Sequence, residues 1–134
     1  MQTIPKALAA WHGVARSRDP AGLDALLAES VVFESPVVFT PQRGKAITTQ
    51  YLGAALKVLG QDFHYVEEWI NPRSAVLEFN AIIDGIAVNG VDILRWDDDD
   101  RIVRFKVMVR PLKGMEALRA KMATELGFAG GAKP

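Results

Sequence analysis

The stretch "VNGVDILRW" (residues 88–96) decides the fold, because it is an apolar strand that carries one carboxylate. Asp92 is flanked by Val91 and Ile93 and followed by Leu94. A carboxylate in a buried strand loses its hydration, which is costly unless the group is paired, hydrogen-bonded or protonated. Because perturbed carboxylates concentrate at functional sites, we predict that Asp92 lies in a site.

The composition narrows the function classes. The 134 residues are 49% hydrophobic, and 16 basic side chains balance 16 acidic ones, so no basic excess indicates binding to nucleic-acid phosphates. The absence of cysteine excludes disulfides, cysteine nucleophiles and thiolate metal sites. No apolar run is long enough to span a membrane, and the N-terminus "MQTIPKALAAWHG" lacks the apolar core of a signal peptide. We expect one soluble, cytoplasmic domain over residues 1–134 that binds neither nucleic acid nor membrane.

Hydrophobic periodicity gives the order of the elements. Helical spacing predicts a helix over 5–18, a short second helix carrying Leu23, Leu26 and Leu27, and a third over 45–59. Alternation and β-branched content predict strands over 31–35, 62–70, 74–84, 87–96 and 101–110. A helical stripe follows Pro111, and residues 127–134 are expected to be a frayed tail.

Helices first and strands later are typical of an α+β fold. We predict a cone-shaped, curved, mixed β-sheet wrapped around the three N-terminal helices, with a short C-terminal helix. Such a sheet encloses a cavity, which is the natural place for Asp92.

Strand alternation assigns side chains to the two faces of the sheet. If Asp92 points inward, the apolar wall of the cavity comprises Phe33, Phe63, Phe79, Leu94, Trp96, Phe105, Val107 and Val109. These walls predict a small apolar ligand. The outer face is also half apolar, since Ile82 and Met108 fall on it, and we predict a homodimer through that face.

Three segments resemble a known family: "DPAGLDALLAESVVFESPVV" (19–38), "QRGKAITTQYLGAAL" (42–56) and "GVDILRWDDDDRIVRFKVMVRP" (90–111). Their order and content resemble the nuclear transport factor 2-like superfamily, in its ketosteroid isomerase and polyketide-cyclase (SnoaL-like) branch. The resemblance covers most of residues 5–122. The superfamily includes isomerases, dehydratases, epoxide hydrolases, cyclases and non-catalytic binders, so it implies the fold more strongly than the reaction.

The resemblance also implies roles for individual residues. Asp92 in "VDILRW" matches the oxyanion-hole carboxylic acid of ketosteroid isomerase, which that enzyme keeps neutral at neutral pH. His12 aligns with its oxyanion tyrosine, and Tyr51 in "ITTQY" with a second, supporting tyrosine. The isomerase base lies in Glu-Asp-Pro-Val, whereas this chain reads Glu34-Ser35-Pro36-Val37.

Ser35 therefore replaces the catalytic base. A serine hydroxyl is no general base at neutral pH without an activating neighbour, so a simple steroid isomerase is not expected. Ser35 either donates a hydrogen bond into the cavity or ends the strand before Pro36, and we favour the second role.

No metal site is expected. Consecutive carboxylates in the turn Asp97–Asp100 point in different directions, unlike the alternating ligands of a calcium loop. Two histidines without cysteine leave no histidine-rich or thiolate zinc site, and His64 is expected on the strand surface. No phosphate loop, dinucleotide fingerprint or nucleophile elbow is present.

We therefore predict a small-molecule pocket protein whose activity, if it is an enzyme, is cofactor-free acid–base chemistry on a small apolar substrate. Asp92 and His12 form the predicted catalytic pair, and Tyr51 supports them. One alternative is a non-catalytic ligand-binding or dimeric interaction module, which the missing base favours. Another is an epoxide hydrolase, which needs an inward arginine beside Asp92, whereas alternation sends three arginines outward: Arg95, Arg104 and Arg110.

Overall fold

The computed structural model describes residues 3–127, which form four α-helices and six β-strands in the predicted α+β order. The helices are α1 (Lys6–Ser17), α2 (Leu23–Leu26), α3 (Lys45–Val58) and α4 (Leu112–Leu126). The strands are β1 (Leu27–Glu34), β2 (Gln42–Arg43), β3 (His64–Asn71), β4 (Ser74–Ile83), β5 (Ile86–Trp96) and β6 (Ile102–Arg110). Of the predicted frayed tail, residues 128–134 lie outside the described residues, and Gly127 caps α4 in the left-handed conformation.

One curved, unclosed sheet has the strand order β2-β1-β6-β5-β4-β3. All neighbours are antiparallel except β1 and β6, which are parallel, so the predicted mixed sheet is confirmed. Asp92 on β5 pairs with Leu77 of β4 on one side and Val107 of β6 on the other. The helices cover this face, which places the carboxylate in the interior.

The first half of the chain differs from the prediction at the second helix. A 3-10 turn (Pro20–Gly22) precedes α2, and Leu27, expected on the helix, already has extended backbone angles (φ −87°, ψ 135°). Strand β1 therefore starts four residues before the predicted position 31, because Leu27 pairs with Ile102 of β6. Residues 42 and 43, which lie outside every predicted helix and strand, form the short β2 against β1.

An irregularity in β3 changes which side chains face inward. Tyr65 pairs with Phe79 and Glu67 with Glu78, so one extra residue, Val66, opposes no partner. Such a bulge shifts the alternation by one position. Tyr65 and Glu68 consequently share the inner face, whereas a regular strand would place them on opposite faces.

The outer face carries the expected apolar residues. Ile82 and Met108 are each 50% exposed, as is Trp69, which lies beyond the bulge. The homodimer through this face stays a prediction.

None of the helices within residues 3–127 is both long and apolar enough to span a membrane.

Candidate functional site

A cavity lies between the inner face of the sheet and helices α1, α3 and α4. Its volume, counted as the space open to the centres of water molecules, is about 60 Å³. This is several times the roughly 10–15 Å³ that one water needs on the same measure. The lining is almost entirely apolar and aromatic, with four polar side chains considered below. The lining residues are Trp11, Ala15, Arg18, Phe33, Ser35, Pro36, Val37, Tyr51, Leu52, Ala55, Leu56, Leu59, Phe63, Phe79, Asp92, Phe105, Val107, Val109, Leu118 and Met122.

Asp92 is the carboxylate of this cavity. Its side chain is buried, with 5% of the residue exposed. Burial raises the pKa of Asp92 from 3.8 to about 7, and a hydrogen bond from Tyr65 partly opposes that rise. A carboxyl group with this pKa is present in both protonation states near neutral pH, so it can give or take a proton there.

Two aromatic side chains hold Asp92 through a hydrogen-bonded chain. The Tyr65 hydroxyl donates to Asp92 Oδ2 over 2.6 Å, and the Trp11 indole N–H donates to the Tyr65 oxygen over 2.8 Å. Burial, followed by the charge of Asp92, raises the pKa of Tyr65 well above its usual value, so this hydroxyl stays protonated. The indole fixes the tyrosine oxygen, and the tyrosine in turn fixes one carboxylate oxygen.

His12 does not share the cavity with Asp92, which corrects the predicted pair. Its Nε2 lies 2.8 Å from Glu68 Oε2, in a separate surface groove. Each residue of a helix advances by about 100°, so adjacent positions cannot point the same way. Trp11 points into the cavity, and His12 is directed toward β3. Glu68 lies within hydrogen-bond distance of His12 because the β3 bulge places the Glu68 side chain on the inner face of the sheet.

Tyr65 and Trp11 were not identified as site residues from the sequence. The inward position of Tyr65 follows from alternation, and a buried tyrosine hydroxyl needs a partner. Asp92 needs a donor for the same reason. A search for a donor that satisfies Asp92 and an acceptor that satisfies Tyr65 would have identified Tyr65. No local pattern, however, indicates that β3 and β5 bring the Tyr65 hydroxyl within 2.6 Å of Asp92 Oδ2.

The other two predicted polar residues lie in the cavity wall. Tyr51 is 5% exposed, and burial raises the pKa of its hydroxyl, which therefore remains a hydrogen-bond donor. Ser35 Oγ accepts hydrogen bonds from the backbone N–H groups of Val37 and Val38, with N to Oγ distances of 3.0 and 3.4 Å. This hydroxyl thus organises the turn after β1.

Most of the predicted apolar wall is placed as expected, with two exceptions. Phe33, Phe63, Phe79, Phe105, Val107 and Val109 line the cavity. Leu94 and Trp96 also face inward, but they pack in the core beyond the cavity. Leu94 is fully buried between Ala75 and Phe105, and the Trp96 indole donates to the carbonyl of Pro72 over 3.1 Å.

An arginine reaches the cavity from an unexpected element. Arg95 and Arg110 are exposed and Arg104 pairs with Glu34, so these three lie outside the cavity, as alternation predicts. Arg18 instead lines the cavity from the C-terminal end of α1. An epoxide hydrolase of this superfamily would need a second aspartate, and among the described lining residues Asp92 is the one carboxylate.

The acidic turn after β5 has a structural explanation. Asp97 Oδ1 accepts the backbone N–H groups of Asp99 and Arg101 over 2.9 and 3.0 Å, and Asp98 forms an ion pair with Arg73. These carboxylates stabilise the turn between β5 and β6.

Comparison with known proteins places this geometry in a family. The model for the SnoaL-like domain matches residues 8–105. A crystal structure of a steroid delta-isomerase from Pseudomonas aeruginosa is 41% identical, over 90% of this chain and 89% of that one, with a TM-score of 0.87. An uncharacterized protein with a cystatin-like fold from Silicibacter pomeroyi is 28% identical, over 92% and 86%, with a TM-score of 0.86.

A third similar structure is an NTF2-like protein of unknown function from Mesorhizobium loti. It is 26% identical, over 79% of this chain and 89% of that one, with a TM-score of 0.71. A comparison with curated proteins gave no significant match. The family model spans well over half of the chain, and the similar structures share its sheet and helices. The chain therefore belongs to the SnoaL-like family of the NTF2-like superfamily.

Proposed function

We propose that this protein is a cofactor-free acid–base enzyme that moves a proton on a small apolar carbonyl compound. The observation that carries the proposal is the buried Asp92, whose pKa of about 7 suits proton transfer and which is the one carboxylate among the described lining residues of a largely apolar cavity. An efficient acid–base catalyst has a pKa close to the pH at which it works.

The proposed reaction is the migration of a double bond toward a carbonyl group. The Asp92 carboxylate removes a proton from the carbon between the carbonyl and the double bond, which leaves an enolate. The Tyr51 hydroxyl, kept protonated by burial, donates a hydrogen bond to the enolate oxygen. The Asp92 carboxylic acid then returns the proton to the far carbon of the former double bond, which yields the conjugated ketone.

Tyr65 and Trp11 act on Asp92 as positioning residues. The hydrogen bond from Tyr65 occupies Oδ2, so the other carboxylate oxygen is the one available to the substrate. The indole of Trp11 prevents the tyrosine from turning away. A fixed carboxylate loses less orientational entropy in the transition state than a mobile one.

The similarity to the steroid delta-isomerase supports a carbonyl substrate of steroid-like apolarity. Ser35 occupies the position that the family resemblance assigns to the catalytic base. In this proposal one carboxylate therefore both removes and returns the proton. The same serine favours a second candidate, a non-catalytic binding protein for the same ligands, because its oxygen already accepts two backbone N–H groups.

The test is the conversion of a steroidal β,γ-unsaturated ketone, followed by the ultraviolet absorbance of the conjugated product. We expect turnover by the natural protein and a loss of about 10²- to 10⁴-fold in kcat for Asp92→Asn. Glu34→Gln, which removes a carboxylate on the outer face, is the matched control and should retain activity. Substrate binding without turnover in the natural protein would favour the non-catalytic candidate.

A second variant tests the interpretation of Ser35. Ser35→Asp restores a carboxylate at the position of the isomerase base, on a residue that already lines the cavity. We expect kcat to rise in this variant, because the two roles of Asp92 are then divided between two groups. A folded Ser35→Asp protein with unchanged kcat would show that position 35 does not contact the reacting carbon.

A further inference from the structure

We infer that Arg18 selects ligands that carry a carboxylate group on an apolar body, an inference that rests on the cavity being the ligand site of the proposed function. The cavity accounts for the apolar body. It does not by itself account for an arginine in its wall, since alkyl and aromatic groups give a guanidinium no hydrogen-bond acceptor.

The first support is the lack of a counterion. Arg18 is half-buried, and across residues 3–127 no hydrogen bond or ion pair joins its side chain to another residue. A charged group that is partly removed from water without a partner costs free energy. An anionic ligand would provide that partner. Guanidinium and carboxylate groups match in planar geometry and form two parallel hydrogen bonds.

The second support is the backbone of Arg18. It follows α1 in the left-handed conformation (φ 56°, ψ 25°), and its N–H bonds to the Val14 carbonyl over 2.8 Å. Glycine and asparagine are the usual residues at such a helix end, because a larger side chain strains the backbone there. This conformation turns the chain at the end of α1 and fixes the residue in the cavity wall.

The third support is the distribution of charge along the cavity. Both residues line the cavity, but Asp92 is buried whereas Arg18 is partly exposed to solvent. No ion pair joins the two groups, and each can therefore bind a different part of one ligand. An apolar acid would fill the cavity with its body and keep its carboxylate at the partly hydrated arginine, where desolvation of the anion is least costly.

The test uses two probes of equal shape, 2-naphthoic acid and 2-naphthamide, of which one is anionic and the other neutral. Dissociation constants are measured by titration calorimetry at about pH 6, where Asp92 is mostly protonated and does not repel the acid. The natural protein should bind the acid about tenfold more tightly than the amide. Arg18→Gln should bind both equally, with the amide affinity unchanged.

Two further variants are the controls. Arg16→Gln removes an exposed arginine from the last turn of the same helix and should keep the natural preference. Arg18→Lys keeps the charge without the planar fork and should retain part of that preference. An unchanged affinity for the amide also shows that each variant is folded.

The outcomes separate the inference from the proposed function. Equal binding of acid and amide by the natural protein, or a preference that persists in Arg18→Gln, overturns the role of Arg18 and leaves the cavity as a ligand site. If neither probe binds to the natural protein, both the proposed ligand site and the inference fail.

Discussion

The raised pKa of Asp92 should make this protein less stable as the pH rises from about 4 to about 7. The pKa of Asp92 is about 7 in the folded chain, against 3.8 as the ordinary value. The folded state therefore holds a proton that the unfolded state has released, so the contribution of Asp92 to stability is complete below about pH 4 and is lost as the pH rises to about 7. Three units of pKa correspond to about 4 kcal/mol.

Asp92→Asn isolates this effect, because asparagine has the size of the protonated acid and does not titrate. The free energy of unfolding of both proteins is measured in urea between about pH 5 and 8.5. Over this range the natural protein should lose about 3 kcal/mol relative to the variant. A typical domain has a total stability of about 5–15 kcal/mol, so the effect is readily measured. Parallel pH profiles for the two proteins would refute the raised pKa and, with it, the proposed proton transfer.

Tyr65→Phe extends the same experiment. The lost hydroxyl donates to Asp92 Oδ2, and a hydrogen bond to a charged group contributes about 1.5–3 kcal/mol. We therefore expect the pKa of Asp92 to rise further, by about 1–2 units, in carboxyl-carbon NMR titrations. A pKa that stays the same or falls would show that Tyr65 does not stabilise the ionised form.

Three predictions concern the scaffold. A Cβ at Gly90 would lie 2.5 Å from the Met108 carbonyl oxygen, so Gly90→Ala should lower the free energy of unfolding by about 1–3 kcal/mol in urea titrations. Gly13→Ala, where a Cβ meets nothing within 4 Å in α1, is the control and should raise it. The buried hydroxyl of Thr48 has no hydrogen-bond partner among the described residues, so Thr48→Val should raise the free energy of unfolding by about 1 kcal/mol in thermal denaturation. A lower free energy of unfolding would indicate that the hydroxyl has a partner after all. Met108→Lys places a charge on the outer face and should shift the expected dimer to monomer in sedimentation, whereas an unchanged mass would contradict that interface.

Strand alternation correctly predicted the orientation of β5. The residues from Gly90 to Leu94 run in unbroken register with β4 and β6, so alternate side chains reach opposite faces. The inward direction of Asp92 follows from this register and from the apolar residues around it. The same rule fails in β3, where the extra residue Val66 moves Glu68 to the inner face, because a bulge leaves no clear signal in the residues themselves.

The predicted pairing of His12 with Asp92 failed for a different reason. Both Trp11 and His12 lie on a helix whose apolar stripe is wide, and sequence spacing does not fix the rotation of a helix about its axis. Packing against Phe105 fixes that rotation here, with the Trp11 ring edge-on to the phenylalanine and the two ring centres 4.8 Å apart. That contact joins residues 94 positions apart.

By itself, the sequence determined the α+β order of elements and the inward carboxylate of Asp92, since both follow from local periodicity. The resemblance to ketosteroid isomerase adds that Ser35 stands where that enzyme has its base. Only the tertiary structure decided that Tyr65 and Trp11 hold that carboxylate, that His12 pairs with Glu68 and that Arg18 enters the cavity. These contacts depend on a bulge, a helix rotation and a left-handed helix end. The bulge and the helix rotation are set by contacts between segments that are distant in the chain, so local sequence patterns do not predict them. The helix end is closed locally by the Arg18 N–H bond to Val14, but the cavity that it borders is formed by the whole fold.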